Sequence, residues 1–357
     1  MTSASNTLSW SLAICTYNRP QHLLPTLGFV ATQQRLPLEV VVVDASDDWE
    51  TTRAEVLKTY PDFWKKVSLK YEPAKVLSIP AQRNQALQLA EGDIVFSLDD
   101  DIHFFPDTAE RIMVAYESDV EEDISMIAAF FVEPGPGQEH AACQPNETVG
   151  LKEKQPSLKG RLETWLRSQF SLDKHFVPYG EPVSEAPLPE RAKSDGVVAG
   201  GLINGGRMTF RRKFAANFGW TETLRYYAAH DDSDFSYRMS RMGRLAVMPG
   251  ARVFHADGNE RKYNRYQVNM IRVRNLTALH RLHSSNRLRS WWRLSKSFLF
   301  FAGLYFLIDP MQKRFSWPTL RAYLSGLVQI PWLLYWPTQD FHSWYIDLQE
   351  RMYRTKA

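Results

Sequence analysis

The sequence predicts an α/β domain built on a mainly parallel sheet flanked by helices, followed by a C-terminal amphipathic helical segment. Three observations carry this. Short runs rich in Val, Ile and Leu alternate with stretches of helical periodicity. LEVVVVDAS (38–46) is unbroken in Val, as expected of a strand covered on both faces. TYNRP, DAS and DDD each follow directly on an apolar run, and in such sheets ligands bind beyond the carboxyl ends of the strands.

SLAIC (11–15) predicts the first strand, with TYNRP as its exit loop and a helix over PQHLLPTLGFVATQQ. The Val run is the second strand and TTRAEVLKTY (51–60) a helix. VSLKYEPA supplies a third strand, and AQRNQALQLAEG (81–92) a helix stopped by Gly92. DIVFSL (93–98) is a strand ending at Asp99, Asp100 and Asp101; PDTAERIMVAYES is a helix and DISMIAAFFV a strand. Residues 133–196 turn rich in Pro, Gly and charge, which reads as an insertion or lid loop with one helix, SLKGRLETWLRSQF, inside it. Glycines 200, 201, 205 and 206 point to close backbone approach. HDDSDFSYRMSRMG opens a helix with acids in its first turn, and LAVMPGARVFHADG reads as a strand pair ending at His255. The expected division is a domain over 1–285 and a helical segment over 286–357.

Net charge is +3 over 357 residues, too little to indicate a nucleic-acid partner. Two cysteines, Cys15 and Cys143, give no disulfide framework, and the opening residues show no secretory signal pattern. Both fit a cytoplasmic protein, in which the Asn146 sequon is chance. The last stretch departs from the rest. Residues 288–357 carry nine Lys/Arg against four Asp/Glu and six of the eleven Trp. The apolar runs 297–308 and 322–336 fall short of the ~20 residues that span a bilayer. Flanking Trp, Tyr, Lys and Arg suit an interfacial or re-entrant anchor on the inner face of the cell membrane. A helical subdomain packed on the rest of the chain or on a second copy is the competing reading.

Three adjacent carboxylates repel, so something must compensate them. Hard cations such as Mg²⁺ and Mn²⁺ take carboxylate oxygens together with substrate phosphates. In an extended segment Asp99 and Asp101 would share a face with Asp100 opposite. A solvated acidic turn is the plainer alternative. His230, Asp231, Asp232, Ser233 and Asp234 exceed what helix capping needs, so one of them could act as a general base. Asp44 suits hydrogen bonding to a base or ribose, or a turn; Arg83 suits phosphate, or an ordinary surface.

The order of AICTYNRP, VVVVDAS, IPAQRNQALQLAEGDIVFSLDDDI, GGLINGGRMTFRR, HDDSDFSYR and VFHADG resembles glycosyltransferase family 2: inverting nucleotide-sugar transferases with a Rossmann-like GT-A fold. The DDD-I form and the late His also resemble its galactofuranosyl- and rhamnosyltransferases. The chain departs from the family's usual Glu-Asp in having Asp231-Asp232, and residues 133–196 match no part of it. The resemblance implies that Thr16, Tyr17, Arg19, Asp44, Arg83, Asp99 and Asp100 hold the nucleotide. It implies that Asp101, Asp99 and His255 hold Mn²⁺ or Mg²⁺, and that Asp232, steadied by Asp234 or Asp231, is the base. The implied activity is transfer of a sugar from a nucleoside-diphosphate sugar to a hydroxyl of a glycan or lipid-linked acceptor in cell-surface polysaccharide synthesis. A metal-dependent nucleotidyltransferase or phosphohydrolase, or a non-catalytic nucleotide-sugar-binding scaffold, are the rival functions. The apolar C-terminus also admits a homo-oligomer.

Overall fold

The structure is a computed structural model and describes residues 7–133, 135–136, 176–183, 187–256, 264–336 and 339–353. The helix expected at 157–170, Cys143 and the Asn146 sequon lie outside the described residues. Two compact units are present.

The first unit comprises Met1–Asn146, Val183–Thr221 and Phe235–Gly258. Its strands are β1 (Trp10–Thr16), β2 (Glu39–Asp44), β3 (Ser68–Pro73), β4 (Ile94–Asp99), β5 (Ile102–Phe104), β6 (Ile124–Phe131), β7 (Val198–Ala199), β8 (Met208–Arg211) and β9 (Arg244–His255). Its helices are α1 (Pro20–Ala31), α2 (Trp49–Thr59), α3 (Pro61–Trp64), α4 (Ile79–Leu89), α5 (Thr108–Ser118), α6 (Glu190–Ser194) and α7 (Arg212–Ala215). All nine strands form one sheet in the order β3-β2-β1-β4-β8-β6-β9-β5, with β7 paired to β9. The β3-β2-β1-β4 half is wholly parallel, and β6-β9 is parallel as well. This is the predicted α/β architecture, with antiparallel β5, β7 and β8 added beyond the parallel half.

Val40, Val41, Val42 and Val43 are all fully buried, so both faces of β2 are covered, as its unbroken Val run requires. Each such side chain contributes about 1.5–3 kcal/mol relative to an exposed one. Leu12, Ile14, Phe96, Leu23, Leu27, Ile112 and Met113 join Val40 and Val42 in one core, where Trp10 and Phe96 lie 4.4 Å apart by ring centroid.

Two local expectations differ. Helix α4 starts at Ile79 and ends at Leu89, three residues before Gly92. Gly92 serves packing instead: a Cβ there would lie 2.6 Å from the Ser11 backbone nitrogen. The segment 244–255 is one strand and not a pair. Its ladder with β6 jumps from Val247 to Arg252, so residues 248–251 form an irregularity and the strand resumes beyond it. Pro249 lacks the N–H that a regular ladder would use there.

The second unit comprises Glu147–Pro182, Glu222–Asp234 and Asn259–Ala357. Its helices are the start of α8 (Asp231–Met239), then α9 (Arg265–His283), α10 (Arg287–Met311), α11 (Pro318–Tyr335) and α12 (Phe341–Tyr353). The boundary therefore does not fall at 285/286. Helix α9 belongs with the C-terminal helices because its Val273 packs on Gly326 of α11, where a Cβ would approach to 3.0 Å. Asn264 and Gln267 form a reciprocal capping box at the start of α9. Phe298, Phe301 and Tyr305 of α10 pack on Tyr323 of α11. Asp309, wholly buried, accepts hydrogen bonds from Thr319 N (2.8 Å) and Leu320 N (3.1 Å), which caps α11.

His280 of α9 is fully buried between the Val177 carbonyl (2.8 Å from Nε2) and the Ser290 hydroxyl (3.0 Å from Nδ1). Burial, aided by Arg293 and His283, pushes its pKa down to about 4. The folded unit thus resists a proton that an unfolded chain accepts near pH 6.5. Stability should fall as pH drops from about 6.5 to 4, by up to about 3 kcal/mol, and this contribution should level off below. Chemical denaturation across that range on wild type and His280→Gln should show a shallower slope in the variant.

Candidate active site

The sheet register builds the rim that the sequence suggested. Thr16 pairs with Asp44, and Cys15 with Asp99, so the last residues of β1, β2 and β4 lie side by side. The chain turns at Asp100 and Asp101 before re-entering the sheet as β5. The strict alternation expected of the triplet is therefore broken. Asp100 and Asp101 both face one guanidinium, and Asp99 meets another.

Arg19 donates from Nη1 to Asp100 Oδ1 (2.7 Å) and from Nη2 to Asp101 Oδ2 (2.8 Å). Thr16 Oγ1 donates to Asp100 Oδ2 (2.7 Å), and Thr26 Oγ1 to the Asp100 carbonyl (2.8 Å). Asp100 and Asp101 are both buried. Burial pushes the Asp100 pKa up to about 6, with Asp99 and Asp101 adding to the rise against Thr16 and Arg19. At Asp101 burial is outweighed by His255 and Arg19, which hold its pKa below the usual carboxylate value. His255 is raised in turn, chiefly by Asp101.

His255 ends β9 directly opposite Ile102, so pairing of β5 with β9 delivers it to the triplet. Its Nε2 lies 3.2 Å from Asp101 Oδ1. That oxygen is buried and has no hydrogen-bond partner among the described residues. Two ligand atoms at right angles on a cation, each about 2.1 Å from it, would stand about 3 Å apart. The Asp101–His255 pair therefore fits one edge of a divalent-metal site. Among the described residues no three His, Cys, Asp or Glu side chains gather into a complete cage.

Asp99 is the most exposed of the three and takes Arg83 Nη2 at 3.1 Å. Arg83 also lies over the Trp220 ring, 5.9 Å from its centroid. Gly205 and Gly206 explain themselves here. A Cβ at Gly205 would meet Arg83 Nη2 at 2.9 Å, and one at Gly206, with φ +77°, would meet Asp99 Oδ2 at 3.0 Å. Asp44 is buried; its Oδ1 accepts from Ser46 N (2.8 Å) and Ser46 Oγ (2.5 Å), and its Oδ2 from Tyr71 OH (2.6 Å). Gln82 Nε2 bridges the Thr16 and Val43 carbonyls at 3.1 Å each. Tyr17 stands exposed beside them. Tyr71 and Gln82 carried no sequence signal, since each acts through a long-range contact.

The acidic cluster 230–234 belongs to the second unit. His230 adopts φ +74°, following Tyr226 and Ala228, which are also left-handed, and three such non-glycine residues strain this approach to α8. The helix then opens with three carboxylates near its N-terminus. Asp232 Oδ1 accepts from Ser233 N (2.6 Å), while Asp231 and Asp234 are buried. Asp234 Oδ1 accepts from Tyr179 OH (3.0 Å), with His283 Nε2 4.0 Å away. Tyr179 in turn lies 5.2 Å from the His283 ring. Tyr179 falls in the segment expected to be an insertion, and nothing in its local sequence singled it out.

Residues 11–164 match the family model for glycosyl transferase family 2. That span carries β1 to β6 and the triplet, and it extends into residues 133–164, which the sequence alone sets outside the family. Beyond that span β7, β8 and β9 complete the sheet. A mannosyltransferase from Pyrobaculum calidifontis, solved with GDP-Man and Mn²⁺, is similar at 16% identity, over 93% of this chain and 91% of that one, with TM-score 0.50. GalNAc-T7, solved with UDP, GalNAc and Mn²⁺, is similar at 14% identity, over 96% of this chain and 59% of that one, with TM-score 0.53. TarS 1–349 of S. aureus, solved with UDP, gives 16% identity, 97% and 92% coverage and a TM-score of 0.47. No curated protein sequence matches the chain. The fold is GT-A.

Gly206→Ala should strain a left-handed residue and push Asp99 from Arg83. A loss of about 1–2 kcal/mol, read as a fall of a few degrees in Tm, is expected.

Proposed function

We propose that this protein is an inverting, divalent-cation-dependent glycosyltransferase. It moves a hexosyl residue from a nucleoside-diphosphate sugar to a hydroxyl of a glycan or lipid-linked acceptor, in cell-surface polysaccharide synthesis. The observation that carries the reading is the pairing of buried Asp101 Oδ1 with His255 Nε2, 3.2 Å apart, at the carboxyl rim of a GT-A sheet. The Mn²⁺ and nucleotide named with the mannosyltransferase and GalNAc-T7 structures support the same donor chemistry.

Each residue has a task that its surroundings support. Tyr17 offers an exposed ring to a nucleobase. Thr16 and Asp44 shape the rim against which base and ribose lie, the first through Asp100 and the second through Tyr71 and Ser46. Arg19 and Arg83 present guanidinium forks for phosphate oxygens, and Asp99 and Asp100 hold those forks in place. Asp101 and His255 would hold Mn²⁺ or Mg²⁺. Such a cation supplies Lewis-acid charge to the departing nucleoside diphosphate. Asp232 takes the proton from the acceptor hydroxyl as that oxygen attacks the anomeric carbon. Asp231 and Asp234 brace the helix turn that carries it, and Tyr179 fixes Asp234. Attack from the face opposite the departing diphosphate inverts the anomeric centre in one displacement.

Titration of nucleoside diphosphates with and without Mn²⁺ should find one nucleotide whose binding strengthens with the metal, and Asp101→Ala should abolish that gain. Absence of any nucleotide binding to wild type would remove the reading. Asp232→Asn should keep the nucleotide affinity and lose at least 100-fold in transfer rate. Unchanged transfer would remove the base assignment. Loss of sugar nucleotide without acceptor would favour the phosphohydrolase reading.

A further inference from the structure

The second unit leaves a large apolar surface uncovered. Of the 26 large hydrophobic side chains exposed among the described residues, 14 lie between Leu288 and Trp336, on α10, α11 and their connection. They are not scattered. On α10, Trp292, Leu299 and Phe306 recur every seven residues, which displaces each by only about 20° around the helix from the last. On α11, Leu324, Val328, Trp332 and Tyr335 follow at spacings of four, four and three and share one face. Met311 and Phe315 close the surface near the turn between the helices, at 79% and 69% exposure. The opposite sides are already used, by Phe298, Phe301 and Tyr323 against one another. The exposed stripes are therefore a second face and not a failed core.

Charge selects the occupant. Between Ser284 and Trp336 the chain has seven Lys/Arg and a single acid, Asp309. That acid is wholly buried and spent on the cap of α11. Within 284–336 the exposed charges are thus all cations: Arg287, Arg289, Arg293 and Lys296 at one end, Lys313 and Arg314 at the turn, Arg321 beyond it. Arg289 is paired with Glu181 (3.4 Å), and Arg293 donates to the Pro178 and Gly180 carbonyls. A second copy would bring the same positive charge to meet this one. An anionic lipid surface brings the opposite charge and takes apolar side chains below its headgroups. Trp292, Trp332 and Tyr335 are the residue types favoured at that depth. By length and composition alone α10 could cross a bilayer, but its inner face is packed on α11 and its cations sit at both ends.

We infer that α10 and α11 dock together on the surface of an anionic bilayer, with Trp292, Leu299, Phe306, Val328 and Trp332 entering the interface and the flanking Lys and Arg meeting acidic headgroups. This inference does not rest on the sugar-transfer reading.

Flotation of the full chain with vesicles of phosphatidylcholine alone, or with about 30% phosphatidylglycerol, tests it. Binding to the anionic vesicles, weakened tenfold or more by 0.5 M NaCl, is expected. The double variant Leu299→Glu/Phe306→Glu should lose binding, and Lys313→Glu/Arg314→Glu should weaken it about tenfold or more. All four positions lie outside the proposed nucleotide site, so nucleotide affinity should be unchanged and certifies the fold. Equal binding to neutral vesicles would overturn the charge argument. No vesicle binding, with a dimer in solution that Leu299→Glu/Phe306→Glu dissociates, would assign the face to a second copy instead.

Discussion

Everything at the strand ends depends on keeping three consecutive carboxylates from repelling one another. At separations of a few ångströms, paired like charges cost several kcal/mol outside bulk water. Asp100 is the most exacting, because it is buried as well as crowded. Its compensation comes from elements far apart in sequence: Thr16 at the end of β1, Arg19 just before α1, and Thr26 within it. Asp101 draws on Arg19 and His255, and Asp99 on Arg83 of α4. The order of β1, β4 and β9 in the sheet and the placing of α1 and α4 are all needed for that set to converge. The fold and the charge cluster stabilise one another.

The same cluster shows how a structure can be poised for a cation. Arg19 occupies Asp101 Oδ2 and leaves Oδ1 turned toward His255. One guanidinium therefore compensates the two buried carboxylates, while the other flank of Asp101 meets only an imidazole. A fully satisfied cluster would offer a cation nothing.

Much of this was legible in the sequence where the signal was local. The Val run, the strand before the triplet and the acids opening α8 were each readable from a few adjacent residues, and the rim followed from their order. What was not legible depended on register or on distant contacts. Gly92 looked like a helix stop because Gly often ends helices, yet its reason is the Ser11 backbone. The alternation expected of Asp99 and Asp101 failed because the chain turns between them. Tyr71, Gln82 and Tyr179 act on residues 27, 39 to 66 and 55 positions away, respectively. Asp309 sits at the end of an apolar run, and only the packing of α10 on α11 reveals that it is a cap. The boundary at 285/286 followed composition, whereas contacts assign α9 to the helices after it.

The irregularity in β9 has a consequence for how the site can be lost. From Val247 to Arg252 the strand advances five residues while its partner β6 advances two, from Ala128 to Phe130. The surplus is odd, and side chains alternate between faces with a period of two. Parity, more than the identity of any residue in 248–251, thus decides which side of the sheet His255 occupies. With the ladder otherwise kept, removing one residue there would present Ala256, and adding one Phe254, where the imidazole now stands. An insertion or deletion outside the carboxylate cluster would then silence the site while leaving every one of its residues in the chain.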